Sequence, residues 1–183
     1  MKQRSDEWLK ARHTLLTASD VAAVLHLDPN KSALSVWKEK TQPLKKTQPN
    51  FHMQRGIELE PVARRAYERF EGVAVHTSGL QVHPTIKWLG ASPDGLVHEN
   101  GLIEIKCPQN LTDSVPIAHF VQMQTQMYVV GREWCDYVVY TKTESLVTRV
   151  YRDLDWWNDK FDTLVEFWHN NVLKKIQPKR RKK

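Results

Sequence analysis

The sequence predicts an α/β protein, a single domain with a central mixed β-sheet flanked by helices; α+β is the alternative arrangement of the same elements. Three observations point there. Segments with helical spacing precede, separate and follow segments rich in Val, Ile, Tyr and Thr. Asn100-Gly101 stands between two short apolar runs, the strongest hairpin signal in the chain. No linker divides the 183 residues, a length that suits one domain with a real core.

The elements follow in order. Ser5 is placed to cap a short helix over DEWLKAR, and Thr17 or Ser19 to cap another over ASDVAAVL, which ends near Leu27-Asp28-Pro29-Asn30. Ser32 starts a helix over ALSVWKEK. KTQPLKKTQP, with two prolines and no periodicity, reads as a loop. Over 51–71 the spacing is helical, with Ile57, Leu59, Val62, Ala63, Ala66, Tyr67 and Phe70 on one face. Proline has no amide hydrogen and its ring clashes with the preceding turn, so the helix is expected to begin at Pro61, with Glu60 at its N-cap or beside it. Strands are expected over 73–82 and 86–90, and hairpin arms over 95–98 and 102–107, turning at Glu99-Asn100-Gly101. A helix opens at Pro116 and runs to Gly131. Residues 136–143 and 146–152 form a second hairpin. Asp155 caps the last helix, WWNDKFDTLVEFWHNNVLKK, with Trp157, Phe161, Leu164, Val165 and Trp168 near one stripe.

Composition narrows the function classes. No apolar run approaches 18 residues, so no membrane partner is expected. MKQRSDEWLKARH lacks the apolar middle of a signal peptide, and a cytoplasmic location is expected. Cys107 and Cys135 are too few for a disulfide framework or a four-Cys metal site. The net charge of +6 belongs to the end of the chain: KKIQPKRRKK holds seven basic residues, and without them 20 basic residues face 21 acidic ones. We divide the chain into a body, 1–176, and a basic tail, 177–183. Such a tail binds phosphate backbones without sequence preference, serves as a localisation signal (to the nucleus in a eukaryotic host), or is a solubilising end.

The chemistry is concentrated in SPDGLVHENGLIEIKCP, residues 92–108. Side chains alternate across a strand, so Glu104 and Lys106 share a face with Leu102 while Ile103 and Ile105 point to the other. A hairpin folds Asp94 back beside Glu104 and Lys106. Two carboxylates and a lysine at the rim of a buried strand are costly unless they pair or bind a cation. Two carboxylates plus a backbone carbonyl are hard oxygen donors, suited to Mg²⁺ or Mn²⁺. Phosphodiester cleavage needs such a site. A nearby lysine can orient the attacking water, or take its proton if burial depresses the pKa of the lysine. An isolated E-x-K would be a surface ion pair; the preceding Asp94 and the apolar flanks favour catalysis.

These residues carry a resemblance. SPDGLVHENGLIEIKCP resembles the signature of the PD-(D/E)xK nucleases, and more closely that of the phage-type exonucleases grouped with lambda exonuclease, the YqaJ-type viral recombinases. ARHTLLTASDVAAVL resembles the family's R-x-x-x-x-T-A-S block, RGIELEPVARRAYE its G-x-x-x-E helix, and FVQMQTQMYVV its Q-x-Q-x-x-M-[WY] helix. The four blocks stand in the family's order. The chain departs from lambda exonuclease in two shorter segments: Asn30-Lys31-Ser32 leads straight into a helix, and 15 residues separate Lys106 from Gln122.

The resemblance implies a restriction-endonuclease-like core and a Mg²⁺-dependent 5′-to-3′ exonuclease on double-stranded DNA, with Mn²⁺ substituting. It would release 5′-mononucleotides and leave a 3′ single strand for viral or phage recombination or genome processing. By resemblance Asp94, Glu104 and the Ile105 carbonyl ligate metal, Lys106 is the catalytic lysine, and Glu60 approaches the metal. Gln122 supports Lys106, although Gln124 with Tyr128 also fits the Q-x-x-x-Y pattern of the wider superfamily. Arg12 and Ser19, with Thr17, match the pocket for a 5′-phosphate, and Gln124 is placed with the DNA-binding residues. Without the resemblance Ser19 reads as an N-cap and Arg12 as a surface charge. Duplex ends bearing 5′-phosphate, a single-strand annealing protein and a homotrimer are the implied partners. An endonuclease or resolvase with the same site is the alternative, and a non-catalytic end-binding module a third.

Overall fold

The computed structural model describes residues 3, 5–44 and 48–179; part of the KTQP loop and the last four residues of the tail lie outside that range. The chain runs α1 (Asp6–His13), β1 (Leu16–Thr17), α2 (Ala18–Val24), α3 (Ala33–Thr41), α4 (Phe51–Glu71), β2 (Val75–His76), β3 (Gln81–Val82), β4 (Leu89–Ala91), β5 (Gly95–Val97), β6 (Gly101–Lys106), α5 (Ile117–Val130), β7 (Trp134–Tyr140), β8 (Ser145–Tyr151) and α6 (Leu154–Glu166), which continues as a π-helical segment over Phe167–Leu173. The expected mixed central sheet is present, in the order β2-β5-β6-β7-β8. Strands β6 and β7 are parallel and every other pair in this sheet is antiparallel. A parallel pair needs a crossover, and α5 supplies it. A second, three-stranded sheet, β1-β4-β3, was not foreseen. It exists because the expected 73–82 strand breaks in two, β2 pairing with β5 and β3 with β4.

The caps were legible. The Ser5 and Ser32 hydroxyls accept from the Trp8 and Ser35 amides at 3.2 and 3.1 Å. Thr17, not Ser19, is the N-cap of α2. Two starts differ from expectation. Helix α4 begins at Phe51, ten residues before Pro61, because the Asn50 side chain caps it by accepting from Met53 N at 2.9 Å. Pro61 then costs one amide bond inside a helix of 21 residues. Packing offsets that cost, since Ala63 and Tyr67 of the same helix are buried over β6. The broad apolar face narrows to those two residues; Val62 and Phe70 are exposed. Helix α6 is capped by Asp153, which accepts from Trp156 N at 2.8 Å, and Asp155 falls in its first turn.

Strand β6 is buried on both faces. Ile103 and Ile105 pack with Ala63, Tyr67 and Val138 beneath α4. Leu102 packs with Met123, Met127 and Cys135 beneath α5. The β5–β6 hairpin turns one residue earlier than expected. His98 takes the left-handed conformation (φ 48°), and Gly101 already pairs with Val97 as the first residue of β6. Gly101 is required there for space: a methyl would run into the Trp134 ring.

Candidate active site

The hairpin register decides the geometry. Gly95 faces Ile103, which brings Asp94 beside Glu104. Asp94 Oδ2 accepts the Ile105 amide at 2.7 Å. Glu104 is buried (3% exposed), and both of its oxygens are claimed. Oε1 accepts from Lys106 Nζ and Gln122 Nε2, each at 2.7 Å, and Oε2 accepts from Gln126 Nε2 at 2.7 Å. Gln122 Oε1 accepts a further bond from Lys106 at 3.2 Å. The lysine and its supporting glutamine are therefore locked to one carboxylate.

Sequence reasoning missed Gln126. Its signal was available, since it lies one helical turn after Gln122 and so shares its face. Gln124 lies elsewhere. Its side chain donates to the Tyr151 carbonyl and accepts from the Asp153 amide, both at 2.8 Å, joining β8 to the start of α6. Two positions round a helix from Gln122 is the opposite side, and Tyr128 goes with it, stacking on Trp157 at 4.2 Å. Gln124, assigned to DNA contact from the sequence, is buried here, and it and Tyr128 take part in packing on the side of α5 away from Glu104. Glu60 lines the same cleft as Asp94 and pairs with Arg64 at 2.7 Å.

The electrostatics separate the two ends of the site. Burial pushes the Asp94 carboxyl well above its ordinary value, and repulsion by Glu104 and Glu60 adds to it. Burial alone would lower Lys106; the Glu104 carboxylate beside it, with Asp94, wins and holds the ammonium above its usual value. Lys106 is thus held as the charged partner of Glu104. His119 Nδ1 and the Tyr137 hydroxyl share a 2.6 Å hydrogen bond nearby. Burial first, and Lys106 second, lower His119 to about 4, so its ring is neutral at physiological pH. Burial lifts the Cys107 thiol to about 11, which keeps it a neutral thiol at physiological pH.

Among the described residues no three acidic, His or Cys side chains close on one point as a ready-made metal cage. The donor set nevertheless suits a hard cation. Asp94 and Glu104 are adjacent carboxylates beside the Ile105 peptide, and their mutual repulsion is the charge a cation would neutralise. Gln126 also lines the cleft, with its Oε1 buried and without a hydrogen-bond partner among the described residues, an acceptor suited to the hydrogens of a hydrated ion.

Arg12 lies at the end of α1. Its guanidinium donates to Ser19 Oγ at 2.8 Å and to Thr17 Oγ1 at 3.0 Å, and rests 4.7 Å over the Trp8 ring. Trp8 is fixed in turn by its indole N–H, which donates to Ser92 Oγ at 3.2 Å. The two corners open into one cleft of about 660 Å³. Arg12, Thr17 and Ser19 line one part, Asp94, Glu104, Lys106 and Gln122 another, with His52, Met53 and Gly56 of α4 as a shared wall. Nothing in the spacing of Trp8, Ser92 or His52 announced them.

A model of the YqaJ-like viral recombinase domain matches residues 7–133, which runs from the second residue of α1 to beyond the end of α5. The chain belongs to the YqaJ-like viral recombinase domain family. A solved structure similar to this YqaJ-family chain is the alkaline exonuclease LHK-Exo of Laribacter hongkongensis, with 35% identity, 94% of each chain covered and a TM-score of 0.83. That enzyme has also been solved in complex with dAMP. A phage-related exonuclease from Haemophilus somnus 129PT shares the fold at 14% identity, with 92% of this chain and 97% of the other covered and a TM-score of 0.71. Among curated relatives, uncharacterized protein R354 of Acanthamoeba polyphaga mimivirus is 29% identical over 75% of this chain and 29% of its own length. Uncharacterized protein YqaJ of Bacillus subtilis (strain 168) is 26% identical over 92% of this chain and 56% of its own length. The chain thus spans less than two thirds of either. No helix among the described residues is long and apolar enough to cross a membrane.

Proposed function

We propose that the protein is a Mg²⁺-dependent exonuclease that degrades one strand of duplex DNA from its 5′ end, releasing 5′-mononucleotides and leaving a 3′ single strand for recombination or genome processing. One observation carries the proposal: Arg12, Thr17 and Ser19 share a single cleft with Asp94, Glu104 and Lys106. A phosphate donor set at one end and a carboxylate–lysine set at the other suit a terminal phosphate and the next phosphodiester. The likeness to an alkaline exonuclease that binds dAMP supports the same class of substrate.

Asp94, Glu104 and the Ile105 carbonyl, with Glu60 alongside, would hold Mg²⁺ or Mn²⁺, which when bound neutralises phosphate charge and lowers the pKa of water. The remaining work falls to side chains. Arg12 offers a forked donor set to the terminal phosphate, with Ser19 beside it. Lys106, kept as an ammonium by Glu104, donates to the attacking oxygen and offsets charge gathering on the scissile phosphate. The proton of the attacking water passes to solvent, and the leaving 3′ oxygen takes one from it. Gln122 and Gln126 keep Glu104 and Lys106 from rotating away. Each cut leaves a new 5′-phosphate for the Arg12 corner, which gives the movement a direction.

The deciding experiment is Mg²⁺-dependent digestion of linear duplexes with 5′-phosphate or 5′-hydroxyl ends beside a covalently closed circle. Faster loss of the phosphorylated linear DNA and an intact circle are expected. A cut circle makes the enzyme an endonuclease, and no cleavage with either Mg²⁺ or Mn²⁺ makes the chain an end-binding module. The body, 1–176, is proposed to carry the reaction, while the tail adds non-specific phosphate contacts. Deleting 177–183 should therefore flatten the dependence of duplex affinity on salt; an unchanged slope removes the tail from DNA binding.

A further inference from the structure

Beside the Arg12 corner lies a buried ion cluster that the reaction above does not use. Asp20 of α2 is fully buried (0% exposed) and sits 2.8 Å from Lys31 Nζ and 2.9 Å from Lys40 Nζ. Lys40 is itself buried, and its ammonium also donates to the Arg12 carbonyl at 3.0 Å. Lys31 reaches on to Glu39 at 2.8 Å. Burying such charges costs several kcal/mol per ion, and apolar residues of similar volume often serve stability as well. Stability alone is thus a weak reason for the cluster.

Its contacts with the phosphate corner supply a better one. Asp20 Oδ2 accepts the Thr17 hydroxyl at 2.7 Å and the Thr17 amide at 3.4 Å. Burial alone would raise the Asp20 carboxyl; Lys40, Lys31 and Arg12 together outweigh it and hold the group well below the usual carboxylate range. It is therefore an acceptor only. The single hydroxyl hydrogen of Thr17 is committed to it, and the Thr17 lone pairs are left to accept from Arg12 at 3.0 Å. Ser19 Oγ also accepts from Arg12, at 2.8 Å. Among the described residues only a 3.4 Å contact with Thr17 competes for the Ser19 hydrogen, and Ser19 is exposed, so that hydrogen is available to the cleft.

We propose that Asp20, pinned by Lys31 and Lys40, is a positioning residue for the Arg12 pocket: by taking the Thr17 hydrogen it fixes the Thr17 oxygen as the rest on which Arg12 sits, so that the remaining Arg12 N–H groups and the Ser19 hydroxyl are held toward an incoming terminal phosphate. The proposal rests on the 5′-phosphate reading above. Thr17 is also the N-cap of α2, so the readout is a ratio of two affinities, which loss of the cap alone leaves unchanged. Thr17→Val, close to Thr in shape, deletes the Thr17 hydroxyl and leaves the Asp20–Lys31–Lys40 contacts in place. Thr17→Ser keeps the hydroxyl. Asp20→Asn can donate to Thr17 as well as accept from it, so the Thr17 hydroxyl is no longer fixed in one orientation.

The test is the affinity ratio for linear duplexes bearing 5′-phosphate or 5′-hydroxyl, measured by anisotropy in EDTA so that no DNA is cut. The wild type is expected to favour the phosphate. Thr17→Val should cut the ratio about tenfold, the equivalent of one lost hydrogen-bond geometry, and Thr17→Ser should keep it. Asp20→Asn should behave as Thr17→Val does; if it fails to fold, the Thr17 pair still decides. A Thr17→Val protein with the wild-type ratio overturns the relay and leaves the phosphate pocket standing. No preference in the wild type, or a preference that survives Arg12→Ala, overturns the pocket and the relay with it.

Discussion

Lys106→Ala is expected to lower single-turnover cleavage of a 5′-phosphorylated linear duplex by on the order of 10²- to 10³-fold, the effect of deleting one preorganised donor at a reacting phosphate. Duplex binding in EDTA should be unchanged, because Lys106 is proposed as no metal ligand and the Arg12 corner is untouched. The ammonium bonds to Glu104 at 2.7 Å and to Gln122 at 3.2 Å, so its position is held from two sides. With Lys106 gone, Gln122 and Gln126 still donate to Glu104, and the carboxylate stays paired. The loss is thereby confined to the chemical step. Cleavage within a fewfold of wild type would remove Lys106 from the mechanism.

Asp94→Asn should move activity and stability in opposite directions. Burial and the repulsion of Glu104 and Glu60 make a charged Asp94 unfavourable in the metal-free protein. The native state binds this proton more tightly than the unfolded chain does. Its contribution to stability is therefore fully present below the ordinary Asp value and is lost as pH rises through the native one. An Asn side chain removes that penalty at neutral pH, keeps an oxygen to accept the Ile105 amide, and turns its NH₂ group to the carboxylates. We expect the melting temperature in EDTA to rise by about 3 °C, the effect of roughly 1 kcal/mol in a chain of this size. Millimolar Mg²⁺ should raise the wild-type melting temperature and leave the variant unmoved. Cleavage should fall at least 10²-fold, since a ligand to the catalytic ion would be missing. A lower melting temperature in EDTA would show that Asp94 is structural rather than held ready for a cation.

Much of the fold was legible because its signals are local. Caps such as Ser5 and Ser32 act across three residues, and strand alternation needs only neighbours. The same alternation placed Glu104 and Lys106 on one face, and the hairpin signal folded Asp94 back beside them, while the register that sets Gly95 against Ile103 came with the structure. What escaped was set by competition between distant parts. Pro61 stands inside α4 because the Asn50 cap and the packing of Ala63 and Tyr67 outweigh one lost amide bond. The 73–82 segment splits because its halves pair with different strands, β5 and β4. The three glutamines of α5 are alike in sequence; only the packing of that helix, with Tyr128 against Trp157 on one side and Glu104 on the other, separates Gln122 and Gln126 from Gln124.

By itself, the sequence determined the hairpin that converges two carboxylates and a lysine, and, through four blocks in order, the family. Tertiary structure alone decided that Arg12 and Ser19, some eighty residues away, open into the same cleft, and that a buried Asp20 orders their hydrogen bonds. The reason is one of range. Periodicity and capping act over one helical turn or one strand pair, whereas the direction of a hydrogen bond inside a buried cluster depends on which charges the whole chain has folded around it.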